Sequence, residues 1–327
     1  MTQTLFHPGE LAAQALAGVV SRTPPIRDWM PDQHRAFFGL LPFLPIATAG
    51  ADGAPAATIL TGPPGFIASP DPTTLHIAAR PDRADPAAPF FLPGAPVGLL
   101  GIDLATRRRN RANGILRSSD PDGLTISVTQ SFGNCPQYIQ TRLWQDGAAT
   151  PALPVEYLTG LDPAARSLIA NADTFFVATN SGGGAGSMGG MDISHRGGRP
   201  GFVGIAGDTL TIPDFHGNGY FNTLGNLLLD PRVALLFVDW TDGTVLHLRG
   251  TVEILWNQDG GLDGAERLWR ISITDGWRRR GALPLRWSFQ TYAPQTLRTG
   301  VWNAIQDDRD GGIPWPPAVA DPLSPGF

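Results

Sequence analysis

Two polar, glycine-containing segments in the second half of the chain carry the residue types of an anion-binding site. The first covers residues 194–198 (SHRGG), where the guanidinium of Arg196 offers a planar fork of donors suited to phosphate. The second covers residues 214–219 (DFHGNG) and precedes a predicted helix, whose free N-terminal N–H groups attract anions. Each segment alone could be a solvent-exposed turn, and Asn218 could be only a helix cap. Together they predict one phosphate-binding cradle.

The densest charge run of the chain covers residues 107–111 (RRRNR) and falls in a predicted hairpin turn. A charge run of this kind is usually a solvated surface. The corresponding turn later in the chain, residues 241–247, contains no arginine, so the hairpin does not need these side chains to fold. Arg109 and Arg111 are therefore candidates for binding an anionic ligand.

Two other patterns predict less. Residues 184–189 match the GxGxxG dinucleotide fingerprint, but no helix follows to hold a pyrophosphate, which favours a flexible hairpin loop. Asp192 with His195 and Asp214 with His216 have the side-chain types that bind divalent cations. Their spacings match no established ligand pattern, so we predict no metal site.

Composition excludes several classes of protein. The 327 residues carry a formal net charge of −5, which argues against a nucleic-acid partner or an anionic membrane surface. All 24 cationic Lys and Arg positions are arginine, so neither a Schiff-base lysine nor a Walker phosphate loop is possible. Cys135 is the single cysteine, which excludes an intramolecular disulfide. The longest apolar runs fall short of the roughly 18 residues of a membrane span. We expect a soluble, cytoplasmic, bacterial protein.

The chain also contains a weak internal repeat. Residues 64–66 (PGF) recur at 200–202, and residues 97–103 recur as a similar apolar run at 233–239, both at an offset of 136 positions. Gly114 recurs at the same offset as Gly250, and two further matches lie in the same order at nearly the same offset. Ordered matches at one offset predict two copies of one fold, at residues 41–150 and 171–300.

Each copy reads as a series of short strands. In the second copy, residues 174–179, 201–205, 209–212, 233–240 and 245–255 have strand-like patterns, and a turn at 241–243 joins the last two. Apolar spacing over residues 219–229 predicts a helix that ends at Asp230-Pro231. This order of elements suits a small barrel.

The predicted domain organisation follows from these elements. It comprises a helical N-terminal extension (1–40, with a helix over 32–41), split barrel 1 (41–150), a helical linker (151–172), split barrel 2 with the phosphate site (173–300) and a Pro-rich tail (301–327). The linker helix should begin at Asp162, with Pro163 at its first position.

Several motifs resemble one known family. Residues 192–202 (DISHRGGRPGF), 213–214, 217–218 and 230–237 (DPRVALLF) are similar to the pyridoxamine-5′-phosphate-oxidase-related FMN-binding split-barrel (flavin-nucleotide-binding) proteins. Residues 131–139 give the first copy the same resemblance. The likeness extends over residues 41–300 and is most specific at 192–218 and 131–139.

The resemblance implies a mainly β fold: tandem FMN-binding split β-barrels that form an internal pseudo-dimer, preceded by a helical N-terminal extension. It places FMN where the two barrels meet, with Arg109 and Arg111 reaching the flavin ring from their hairpin. The resemblance assigns the phosphate and ribityl chain to five residues and adds three others to the lining: Ser194, His195, Arg196, Asn218 and Asn222, and then Asp214, His216 and Asn134. The first copy lacks the matching motifs, so we expect one intact site per chain.

The function implied is that of an FMN-binding oxidoreductase of unknown substrate, with no catalytic acid or base assigned. The family's oxidase uses basic residues at the helix start, where this chain has His216 and Asn218, so oxidation of pyridoxamine phosphate itself is not expected. NAD(P)H, a redox partner protein and a homodimer are candidate partners. Two alternatives remain open: a flavin-binding protein for storage or sensing without turnover, and a haem-binding split barrel that depends on His195 or His216. We predict that Cys135 is structural or contacts the ring.

Overall fold

The computed structural model describes residues 6–20, 26–147, 153–182, 185 and 188–302. Its helices are α1 (Pro8–Leu16), α2 (Asp32–Phe38), α3 (Pro163–Asn171) and α4 (Asn222–Leu229), with 3-10 turns at Ala88–Phe90 and Thr296–Arg298. Within those ranges, none of the helices has the length and apolarity that a membrane crossing requires.

The structure is dominated by antiparallel strands. Those of the first copy are β1 (Phe43–Ala49), β2 (Pro55–Thr61), β3 (Ile67–Ala68), β4 (Thr74–Ile77), β5 (Pro96–Asp103), β6 (Arg108–Asp120), β7 (Gly123–Gly133) and β8 (Thr141–Asp146). Those that follow are β9 (Glu156–Leu158), β10 (Thr174–Asn180), β11 (Met191–Gly197), β12 (Gly204–Ala206), β13 (Thr209–Phe215), β14 (Arg232–Val238), β15 (Val245–Leu255), β16 (Ala265–Arg279) and β17 (Leu285–Thr291).

The two main sheets have the same topology, which confirms the predicted tandem arrangement. Their strand orders are β2-β1-β5-β6-β7-β4-β3 and β11-β10-β14-β15-β16-β13-β12, with β9 added to β16. Registers correspond as well, because Ile46 faces Leu99 in the first sheet and Val177 faces Leu235 in the second. The fold is therefore mainly β, with two split barrels in one chain. A ribbon of β8 and β17 joins the two copies.

The two copies pack against each other through a shared apolar core. One buried cluster belongs mostly to each barrel, and a third combines residues of both, among them Phe43, Leu100, Phe176 and Leu236. Burying a Phe or Leu side chain of this kind stabilises the fold by about 1.5–3 kcal/mol. Strands β5 and β11 meet backbone to backbone, since a Cβ on Gly98 would lie 2.9 Å from the carbonyl oxygen of Met191. This packing forms the internal pseudo-dimer.

Several predicted helices are present in the structure, but some of them begin or end at other residues than predicted. The linker helix begins as expected, with the Asp162 carboxylate accepting from the N–H of Ala165 at 2.7 Å. Helix α4 begins at Asn222 rather than Gly219, because Phe221 adopts a left-handed conformation with φ 58°. In the first copy, the 3-10 turn Ala88–Phe90 lies where the second copy has α4. Helix α2 ends at Phe38 rather than at Leu41, and residues 303–327 of the predicted tail (301–327) lie outside the described residues.

One prediction of local structure was wrong. Residues 194–198 were read as a polar segment that could be a solvent-exposed turn, followed by a strand at 201–205. Residues 194–197 instead belong to β11, which was not predicted, and the following strand β12 covers 204–206. Six of the seven residues of β11 are buried, all but Arg196, and they include the polar side chains of Asp192, Ser194 and His195. They are covered because β11 lies between β10 of its own sheet and the first copy. Tertiary packing therefore decides the conformation of a segment whose composition favours a turn.

Candidate functional site

A cavity of about 440 Å³ lies between the two copies. The first copy contributes residues of β6 and of the segment after β7, and the second contributes residues of β11, β13 and the start of α4. All ten residues predicted to bind a cofactor line this one cavity: Arg109, Arg111, Asn134, Ser194, His195, Arg196, Asp214, His216, Asn218 and Asn222.

Arg111 of β6 is anchored at the N-terminus of α4. Its guanidinium donates to Asp192 at 2.7 Å, to Asn222 Oδ1 at 3.3 Å and to Ser194 Oγ. Ser194 Oγ lies 2.9 Å from Thr223 Oγ1, in the first turn of the helix. Burial raises the pKa of Asp192, and the Arg111 charge opposes that shift. Arg111 thus lies with the residues predicted for the phosphate, whereas the family resemblance had placed it near the ring.

Arg109, two residues earlier on the same strand, has a different environment. Its Nη1 lies 3.3 Å from His195 Nδ1, and no carboxylate among the described residues pairs with it. Burial, together with the charges of Arg196 and Arg111, lowers the pKa of Arg109 to about 9. Burial and the Arg109 charge hold the pKa of His195 well below its usual range, so that imidazole is neutral at pH 7 and accepts from the guanidinium.

Arg196 is held between an aromatic ring and a shared carboxylate. Its guanidinium lies over Trp269 at 4.6 Å, and Nη2 is 3.8 Å from Asp214 Oδ1. The other carboxylate oxygen of Asp214 accepts from Arg267 Nη1 at 2.5 Å. Burial lowers the pKa of Arg196, and Asp214 opposes the shift. Two arginines therefore share one buried carboxylate.

The remaining predicted residues lie toward the exposed edge of the cavity. His216 is 75% exposed, and its Nδ1 is 2.7 Å from Glu266 Oε1. Tyr138 stacks on Phe215 at 5.4 Å and donates its hydroxyl to the carbonyl of His216 at 3.1 Å. Asn218 accepts from the N–H of Tyr220 at 3.1 Å and so orders the loop before α4.

The lining has an excess of positive charge and of unused donors. Four arginines face it against the carboxylates of Asp214 and Glu266. Several buried polar atoms of the lining have no hydrogen-bond partner within the described protein: Arg109 Nε, Asn134 Nδ2, Gln137 Oε1, His195 Nε2, Arg196 Nε and Arg267 Nε. Leaving a buried donor unpaired costs about 1–3 kcal/mol. The cavity therefore suits an anionic ligand with several acceptor atoms, and a flavin nucleotide meets both conditions.

The position related to Arg111 by the pseudo-symmetry carries His247, which is buried. Arg111 faces Phe132 across β6 and β7, and in the same way His247 faces Trp277 across β15 and β16. The His247 imidazole stacks on Trp277 at 4.7 Å. Nearby, the buried Asp85 accepts from Thr58, on β2, at 2.6 Å and from Arg279 at 3.0 Å. One interface thus has an arginine that lines a cavity, and the other has a buried imidazole close to an internal ion pair.

Sequence reasoning missed several groups that hold the lining in place. Arg267 on β16 lies over Phe221 at 5.0 Å, and Thr223 bonds Ser194. Glu10 of α1 contacts Asn222, 212 positions away in the sequence. Asp192 was considered only as a metal ligand and as part of the family motif. Of these groups only Asp192 could have been found from the sequence, since it lies two positions before Ser194. The others depend on contacts between segments that are distant in the sequence, and such contacts leave no local pattern.

The other motifs of the sequence contribute little here. Within the described residues, no three or more His, Cys, Asp or Glu side chains are grouped to hold a metal ion. Gly184 and Gly186 of the GxGxxG pattern lie outside the described residues. Cys135 is partly buried and lines the cavity.

Neither a scan against family models nor a search of curated proteins finds a match for this chain. Solved structures similar to it include a HupZ variant from Group A Streptococcus, with 16% identity and a TM-score of 0.29 over 36% of this chain and 98% of that one. An inferred pyridoxamine 5′-phosphate oxidase from Lactobacillus delbrueckii has 16% identity and a TM-score of 0.26 over 32% and 95%. A FAD-binding protein from Mesorhizobium loti has 14% identity and a TM-score of 0.27 over 39% and 99%.

Proposed function

We propose that this chain binds FMN in the cavity between its two barrels and is an FMN-dependent oxidoreductase of the pyridoxamine-phosphate-oxidase-like superfamily. The observation that carries the proposal is the convergence of ten predicted residues from both copies on one cavity with excess arginine charge. A phosphate monoester is a dianion near neutral pH, and charge-assisted bonds to arginine are the stronger hydrogen bonds of proteins.

The phosphate end is assigned to the start of α4. Ser194, Asn222 and Arg111 meet there, next to the free N–H groups of the first helical turn. Arg196 lies in the same lining and supplies a second guanidinium. Because Arg111 and Arg196 come from different copies, neither barrel alone supplies this set.

The ring end is assigned to Arg109, His195 and Asn134. These side chains carry buried donors without protein partners, and the carbonyl oxygens and ring nitrogens of a flavin are acceptors. A fixed positive charge at Arg109 favours negative charge that develops on a neighbouring group. The bound flavin supplies the redox chemistry, and this chain anchors it and sets its electrostatic environment.

The absorption spectrum of the purified protein, with and without added FMN, tests the proposal. We expect a flavin spectrum and its bleaching by NADH, NADPH or a reduced partner protein. Bound flavin that no such donor reduces would indicate storage or sensing instead. A Soret band that is lost on substitution of His195 or His216 would indicate haem. A colourless protein that takes up neither FMN, FAD nor haem would refute the proposal.

A further inference from the structure

The N-terminal helix α1 packs directly against α4, the helix that begins at the cavity. A Cβ on Gly9 would lie 2.2 Å from the carbonyl oxygen of Gly225, so the two backbones are in contact. His7 and Glu10 form a capping box at the start of α1. The His7 ring accepts from backbone N–H of the first helical turn, and Glu10 Oε2 accepts from the backbone N–H of His7. The Glu10 side chain is consequently 5% exposed, although it comes from the N-terminal extension.

A chain of hydrogen bonds connects Glu10 to the cavity. The amide nitrogen of Asn222 donates to Glu10 Oε1, and the amide oxygen of Asn222 accepts from Arg111 at 3.3 Å. An ionised Glu10 can only accept and a guanidinium can only donate, so these two partners fix which way the amide points, and a protonated Glu10 keeps a carbonyl oxygen that can still accept. Glu10 thereby orients Asn222, and Asn222 in turn holds Arg111 at the start of α4.

The charged groups around Glu10 are few. His7 lies on the same helix, with Nε2 3.8 Å from Glu10 Oε2, and burial lowers its pKa so that it is neutral at pH 7. Asp192 on β11 and Arg111 on β6 are the charged groups on the neighbouring strands that act on it. Burial is the main cause that raises the pKa of Glu10 to about 7, and the Asp192 charge adds to it. Two buried carboxylates therefore act on one arginine.

We propose that Glu10 is a positioning residue of the anion site, which acts on Arg111 through Asn222, and that Glu10 takes up a proton when an anion binds. With Glu10 ionised, the charge of Arg111 is compensated by two carboxylates. With Glu10 protonated, Asp192 alone opposes it and more positive potential remains for the ligand. The inference rests on the proposed function for the identity of the anion as FMN.

The test compares FMN dissociation constants of wild type, Glu10→Gln and Glu253→Gln at pH 6 and pH 8. Glutamine keeps the size of the side chain and resembles the protonated acid. Glu253 is 61% exposed and its substitution removes the same formal charge, so it is the matched control. Coupling free energies between sites commonly correspond to about 5–150-fold. We expect Glu10→Gln to bind FMN about fivefold to tenfold more tightly than wild type at pH 8 and about equally at pH 6.

Three controls separate a positioning role from a structural one. The ratio of the wild-type and Glu10→Gln dissociation constants at one pH is unaffected by titration of the phosphate itself, because both proteins bind the same form of FMN. For riboflavin, which lacks the phosphate, the two dissociation constants should be equal. Glu253→Gln should follow wild type at both pH values. Equal effects of Glu10→Gln at pH 6 and pH 8, or an equal effect on riboflavin, would overturn the inference.

The same experiment distinguishes this inference from the proposed function. If FMN binds without the predicted pH dependence, the inference fails and the function stands. If FMN does not bind, inorganic pyrophosphate is the probe, with stabilisation against heat as the measurement. If pyrophosphate stabilises Glu10→Gln more than wild type at pH 8 but not at pH 6, the inference is upheld although the proposed function fails. If neither FMN binding nor this pH-dependent stabilisation by pyrophosphate is seen, the proposed function and the inference are both refuted.

Discussion

Three arginines of the cavity differ in how far their charge is compensated. Arg111 is paired with Asp192 at 2.7 Å, Arg196 shares Asp214 with Arg267, and Arg109 has a neutral imidazole as its neighbour. Removing one partner of a buried ion pair strands the other charge and costs about 3–5 kcal/mol. Arg196 and Arg109 are therefore the informative positions for substitution, since neither change leaves a carboxylate without a partner.

Arg196→Ala should weaken FMN binding by about one to two decades. The expected loss corresponds to one charge-assisted hydrogen bond to the phosphate, roughly 1.5–3 kcal/mol. Asp214 keeps Arg267 at 2.5 Å, so the fold should tolerate the change. Riboflavin titrations supply the control: wild type and variant should bind it about equally. An equal loss for riboflavin would mean that Arg196 lies at the ring end.

Arg109→Ala should have a different signature. We expect FMN and riboflavin to be weakened alike, or binding to persist with a lower flavin reduction potential, because a positive charge near the ring is lost. Both titrations and a potential measurement on the loaded protein check this. A selective loss of FMN affinity would place the phosphate at Arg109 instead.

Glu10 should also give the protein a characteristic pH dependence of stability. Its pKa is about 7 in the folded chain against 4.5 for a glutamate exposed to water, so between these values the folded state holds more protons than the unfolded one. The contribution of protonated Glu10 to stability is therefore complete below pH 4.5 and is lost as pH rises through 7. The full difference is roughly 3 kcal/mol at most. Urea unfolding of wild type and Glu10→Gln at pH 5 and pH 8 measures it, and parallel profiles would contradict it.

The sequence was sufficient to find polar and charged side chains that stand in a recognisable local motif. Arg109, Arg196 and Asn218 stand in charged or glycine-containing segments, and all three line the cavity. Glu10 could not be found in this way, because its role depends on the contact of α1 with α4. A single acidic residue in a helix start normally indicates only a favourable helix dipole.

At the scale of elements, apolar patterning identified strands such as β14 and β15, because most of their buried positions carry apolar side chains. It failed at β11, where cover comes from the other copy and the residues are polar. Helix α3 was found through its cap, which is a local signal. The start of α4 was missed by three residues since the left-handed Phe221 has no such signal.

The cap of α3 yields a prediction about stability. Asp162 accepts from the N–H of Ala165 and also from Arg278 at 2.8 Å. Asp162→Asn keeps an acceptor for the cap and removes the charge, whereas Asp162→Ala removes both. The difference between the two variants should be about 1 kcal/mol, which is the usual value of an N-cap. Urea unfolding measures it, and equal stabilities would mean that the ion pair with Arg278 is the whole contribution.

At the scale of the whole molecule, two similar barrels have produced two dissimilar interfaces. Across one, Arg111 lies over Phe132 at 5.2 Å and lines the cavity. Across the other, His247 and Trp277 stack at 4.7 Å and burial lowers the pKa of His247 to about 4, so the imidazole is uncharged at pH 7. This imidazole, unlike Arg111, offers an anion no positive charge, and the nearby Arg279 is already paired with Asp85. Two barrels within one chain can diverge in this way, because a substitution in one barrel does not alter the sequence of the other.

The pseudo-symmetry therefore predicts one FMN per chain. Fluorescence titration of the apoprotein at concentrations well above the dissociation constant should reach equivalence at one. His247→Ala should reduce stability by roughly 2–4 kcal/mol, as expected when a large buried side chain is removed, and should leave FMN affinity within about twofold. We expect this because His247 lies at the interface that carries the His247–Trp277 stack, while the proposed site lies at the other. Equivalence at two, or a folded His247→Ala protein with tenfold weaker binding, would mean that the second interface also takes part in binding.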